Sequence, residues 1–149
     1  MKVVKEFSIS LVNKPGVLAG VLKALSKAKV DGVAMTLSDS ADLGVLRLVV
    51  VQTDLAQKVL SQLNVPMTHS DVLQIELTNK SGALADVVEK LAKAHINIAY
   101  AYCTSGGKGG KTTGIINVEN IAKAMKVLGA EKTHKDGTSL RPSQASRRF

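Results

Sequence analysis

Phe7, Ile9 and Leu11 alternate with Ser8 and Ser10, and further along Leu73, Ile75 and Leu77 alternate with Gln74, Glu76 and Thr78. A period of two over such runs predicts strands with one buried face. After each run the period lengthens: Val17, Leu18, Val21, Leu22, Leu25 and Ala28, then Ala83, Leu84, Val87, Val88, Leu91 and Ala94, recur at helical spacing. Each set makes one apolar stripe, so each helix packs on a sheet face. Second strands follow at 33–38 and 98–104, and third strands at 45–51 and 115–118. A second helix is expected near Asp54, with Leu55, Val59, Leu60 and Leu63 on its stripe, and another near Asn120, with Ile121, Met125 and Leu128; Asp and Asn are good caps. Residues 65–68 read as a short fourth strand, while the matching segment 132–135 is polar and gives a strand little support. The order β-α-β-β-α-β predicts an α+β, ferredoxin-like fold with helices on one face of antiparallel sheets.

The halves are copies. NKPGVLA at 13–19 recurs as NKSGALA at 79–85, an offset of 66. Leu25, Lys27 and Ala28 fall on Leu91, Lys93 and Ala94 at that offset, Val30 and Asp31 on Ile96 and Asn97, and Leu55 and Ala56 on Ile121 and Ala122. A chain of 149 residues suits two small modules. We expect module 1 at 1–69, module 2 at 70–135, and a flexible C-terminal tail at 136–149, where periodicity gives way to Ser, Arg, Pro and Gly.

Asn13, Lys14, Pro15 and Gly16 lie where a strand ends and a helix begins, and there the first backbone N–H groups lack intrahelical partners. A carboxylate can accept those bonds and gain from the helix dipole, and Gly16 or Gly82 lets it approach without a Cβ in the way. The Asn side chain adds a donor and an acceptor, which together suit an α-amino acid. The purely structural alternative stands beside this: Pro suits an early helical position, Gly a tight turn and Asn a cap. Asp31 and Asn97, ahead of the second strands, read equally as turn residues or ligand contacts.

These two NK(P/S)G(V/A)LA turns, the passages at 28–31 and 94–97, and LSDSADLGVLRLVV at 37–50 resemble those of tandem ACT-domain proteins of the stand-alone two-module type, over about residues 5–130. The resemblance implies two tandem ACT modules that bind an amino acid or related effector at module interfaces. It implicates Asn13, Gly16, Val17, Leu18 and Asp31 in copy one, and Asn79, Gly82, Ala83, Leu84 and Asn97 in copy two. Ser81 replaces Pro15 in copy two, and Leu11 and Leu77 stand where some serine-binding members carry His, so serine specificity is not implied. Asp31 stands where Asn is common, which makes the two potential sites unequal.

Charge and chemistry narrow the picture further. The net charge is +8, but residues 131–149 hold five cationic side chains against two acidic ones and so carry +3 of it, with the rest spread thinly. Aromatic residues are only 3%, too few for base-stacking platforms, and a nucleic-acid partner is not expected. The lone Cys103 cannot form an internal disulfide, and no apolar run is long enough for a membrane span, so a cytoplasmic protein without membrane contact is expected. SGGKGGKT at 105–112 misses the phosphate-loop spacing by one residue and leads into a strand-like TGIINV; it reads as a hairpin, or as a ligand-closing flap with Lys108 and Lys111. His69, His95 and His134 fall in no metal spacing, and no nucleophile has a recognisable context. The expected function is therefore a non-catalytic amino-acid sensor without a metal or cofactor, a homodimer built on paired sheets. The alternative is a regulatory subunit that docks onto an amino-acid biosynthetic enzyme through strand edges.

Overall fold

A computed structural model describes the backbone of residues 1–40, 42–107 and 110–138. The order is β1 (Lys2–Val12), α1 (Val17–Lys27), β2 (Gly32–Ser40), β3 (Leu43–Val50), α2 (Thr53–Gln62), β4 (Met67–Thr78), α3 (Ala83–Lys93), β5 (Ile98–Gly107), β6 (Lys111–Val118) and α4 (Ile121–Thr138). α2 starts one residue ahead of Asp54, which lies in its first turn, whereas Asn120 caps α4 by accepting from the Lys123 N–H at 2.9 Å. Lys111–Val118 is strand, so the glycine-rich run opens no helix and the phosphate-loop reading fails. Lys108 lies outside the described residues, as do residues 139–149, most of the expected tail.

All strands join one antiparallel sheet in the order β2-β3-β1-β4-β6-β5. The central strands β1 and β4 are long, at 11 and 12 residues, because each serves both copies. The first part of β4 runs beside β1 (Ile9↔Met67, Phe7↔His69), where the fourth strand of copy one was expected. The rest of β4 is the first strand of copy two and pairs with β6 (Leu73↔Ile116). By the repeat, Phe7↔His69 should recur as Leu73 beside residue 135; instead Leu73 pairs with Val3. The start of β1 thus supplies the strand that copy two lacks, and residues 132–135 continue α4. The chemistry explains the exchange: KVVKEF is rich in β-branched and aromatic residues, while EKTHK offers no apolar side chain to the sheet.

Alternate residues of this sheet meet two different environments. Phe7, Ile9, Leu11, Leu46 and Leu48 pack against Val21 and Leu25 of α1 and Ala56 and Leu60 of α2. Leu73, Ile75, Leu77 and Ile116 do the same with Leu91 of α3 and Ala124 of α4. A fully buried Leu such as Leu60 or Leu91 contributes about 1.5–3 kcal/mol. The opposite pleat carries Glu6, Val49, Val72 and Ile115, also buried, and the half-buried Val4, although among the described residues no helix packs into this cluster. The sheet curls toward this face until its two edge strands, β2 and β5, come into contact without forming a ladder.

Candidate functional site

In both copies the first strand ends in the same backbone turn. Gly16 and Gly82 precede the helices with φ of 89° each, the left-handed region, and no side chain caps either helix. A Cβ at either glycine would meet nothing within 4 Å, so the requirement is conformational and the space above the turn is open. The Lys14 and Lys80 N–H groups close the turns onto Val12 and Thr78, at 2.8 and 2.7 Å.

The copies differ in what faces the turn. In copy one a cleft of about 270 Å³ is lined by Leu11, Val12, Asn13, Lys14 and Leu18 on one side and by Leu37, Ser38, Asp39 and Gly44 on the other. Asn13 donates from Nδ2 to Asp39 Oδ1 at 3.1 Å. Nothing acidic occupies the first turn of α1. The cleft therefore has a cationic pole, made by Lys14 and the helix start, and an anionic one at Asp39, between the apolar walls of Leu11, Leu18 and Leu37. In copy two the matching register position is Ser105, paired with Thr112, and Asp86 occupies the first turn of α3. Lys111 there is bound to Glu76 at 3.0 Å.

Of the residues named from sequence, Asn13, Lys14 and Leu18 line the cleft, while Pro15 and Gly16 are exposed in the turn that leads into α1 and Val17 packs against the core. Asn79, Gly82, Ala83 and Leu84 form the equivalent turn of copy two. Asp31 and Asn97 lie elsewhere, beyond the far ends of α1 and α3, about 16 Å away along an 11-residue helix. Asp31 is engaged with Gln52: its N–H donates to Gln52 Oε1 at 2.8 Å, and Gln52 Nε2 donates to Asp31 Oδ2 at 2.9 Å. Asp39 was not singled out from sequence, although it lies inside LSDS.

A second polar cluster fills the concave face. Glu6 has no exposed surface and accepts from Tyr100 Oη and, at 2.6 Å, from Tyr102 Oη. The Arg47 guanidinium stacks 4.1 Å from the Tyr100 ring centre, and Asn117 Nδ2 donates to Tyr100 Oη at 3.2 Å. Burial, then the hydrogen bond to Glu6 and its charge, push both phenols above their ordinary range; Ser70 and Arg47 partly offset this at Tyr100. Among the described residues no His, Cys, Asp and Glu group could hold a metal, and no helix is long and apolar enough to cross a membrane.

A family described as an ACT domain pair matches residues 1–135. The chain belongs to the ACT domain family. The ACT pair is similar to protein BT0572 from Bacteroides thetaiotaomicron, at 32% identity and a TM-score of 0.81 over 87% of this chain and 89% of that one. It also shares its fold with the ligand-free regulatory subunit of aspartate kinase from Thermus thermophilus, at 15% identity and a TM-score of 0.62 over 87% and 97% of the two chains. Aspartate kinase from Synechocystis contains the same fold, at 15% identity and a TM-score of 0.61, with 87% of this chain matching 26% of the enzyme. No protein of curated function matches the ACT pair.

Proposed function

We propose that this ACT pair is a regulatory protein without chemistry of its own, which binds a free amino acid in the module 1 cleft. The observation that carries this reading is the cleft's opposed polarity. A zwitterion can place its carboxylate at the start of α1 beside Lys14 and its ammonium at Asp39, with its side chain against Leu11, Leu18 and Leu37. A volume of about 270 Å³ lies below the usual range for drug-sized ligands and suits one amino acid with a small or medium, uncharged side chain. Module 2 keeps Lys80 at the position of Lys14 but has Ser105 at the position of Asp39, so it lacks the anionic pole, and Asp86 in the first turn of α3 weakens the cationic one. Lys111, read from sequence as an anion contact, is already paired with Glu76.

Output to a partner completes the reading. The fold recurs in regulatory subunits of aspartate kinase, and the exposed Met35 and Leu37 on edge strand β2 offer an apolar surface beside the cleft. We take a second copy of this chain, or an amino-acid biosynthetic enzyme, as the partner there. A thermal-shift panel of the common amino acids tests the reading. A true ligand at 100 times its Kd adds about 2.7 kcal/mol of apparent stability, and a panel with no response removes the sensor function.

A further inference from the structure

The polar cluster on the concave face joins the two ACT modules and plays no part in the cleft itself. Glu6 and Arg47 come from β1 and β3, and Tyr100, Tyr102 and Asn117 from β5 and β6. A buried carboxyl group is costly unless both oxygens are satisfied, and here a phenol from the far edge of the sheet satisfies each one. No backbone ladder joins β2 to β5, so side chains must hold the curl closed.

We propose that Glu6, Tyr100, Tyr102 and Arg47 form a clasp that closes the sheet, and that Ser38 ties this clasp to the module 1 cleft. Arg47 Nη1 reaches Ser38 Oγ at 3.5 Å while its guanidinium stacks on Tyr100, and Ser38 lines the cleft next to Asp39. A change at the cleft strand thereby reaches the edge strand of module 2 through two side chains. The tie to regulation rests on the amino-acid reading of the cleft; the clasp does not.

Amide hydrogen exchange on the full chain tests both parts without any ligand. In the Tyr100→Phe, Tyr102→Phe double variant, exchange should quicken by about a hundredfold in β5 and also in β2 around Ser38, as for two lost charge-assisted hydrogen bonds, with α1 and α3 unchanged. Faster exchange in β5 alone overturns the tie, and unchanged exchange in both strands overturns the clasp. Glu6→Gln keeps one carbonyl acceptor and serves if the double variant does not fold. It should give the same two-strand pattern at smaller amplitude. Its tyrosine emission, free of Trp background because the chain has none, should rise as the quenching carboxyl contact is lost. Emission equal to the parent protein's overturns the clasp. Because no readout uses an amino acid, failure here is distinct from failure of the sensor reading.

Discussion

At the scale of single residues, Asp39 separates binding from folding. It is exposed and bonded only to Asn13 among the described contacts, so Asp39→Ala should change stability by no more than about 0.5 kcal/mol. Its effect on amino-acid affinity should be far larger, about 10- to 100-fold for a lost charge-assisted contact, with Asp39→Asn in between. Calorimetric titration beside urea unfolding reads both; a stability loss that accounts for the binding loss contradicts the assignment. Tyr100 and Tyr102 are the chain's two tyrosines, so phenolate absorbance reports the clasp alone. Both phenols are raised by burial and by Glu6. A group raised on folding contributes stability that is fully present below its unfolded value, about 10, and is lost as pH climbs through the folded value. The phenolate steps of native protein should thus lie at higher pH than those of denatured protein, which titrates near about 10. Native and denatured steps at the same pH would mean the clasp is open in solution.

Glycines in one element show how position decides effect. Gly16 holds a φ of 89°, so Gly16→Ala should cost about 1–2 kcal/mol despite the open space around it. Gly20, one turn into α1, has ordinary helical geometry and equally open space, so Gly20→Ala should gain about 0.5–1 kcal/mol. Urea midpoints for the two variants should move in opposite directions. The helices and their turns were legible because amphipathic periodicity and the NKPG repeat are local signals. The pairing of β1 with β4 was not: the polarity of 132–135 was visible, but no local pattern says that Val3 takes the vacant place beside Leu73. The site divides the same way. Asn13 and Gly16 are marked by recurrence, whereas Asp39 meets Asn13 across a separation of 26 residues, and Asp31, which reads equally as a turn residue or a ligand contact, is held by Gln52. Glu6, in an alternating strand, reads as a solvent-facing residue because the curl that buries it is a property of the whole sheet.

For the whole molecule, shared strands make the two ACT modules one cooperative unit. The repeat boundary at 69/70 lies within β4, and either half alone would lose a strand of its sheet. Scanning calorimetry should therefore show a single transition with van't Hoff and calorimetric enthalpies equal, and two transitions would contradict the interlocked sheet. Within that unit the two copies of the turn are unequal: the cleft of copy one has Asp39 opposite Lys14 and the start of α1, while copy two has Lys80 but Ser105 in place of Asp39 and an added Asp86 at its helix start. Isothermal titration of the full chain with the amino acid that most raises its melting temperature tests this directly. The account predicts one ligand per chain, bound about 10- to 100-fold more weakly in Asp39→Ala and unchanged in Asn79→Ala. Two ligands per chain, or binding that is unchanged in Asp39→Ala and fails in Asn79→Ala, would contradict it.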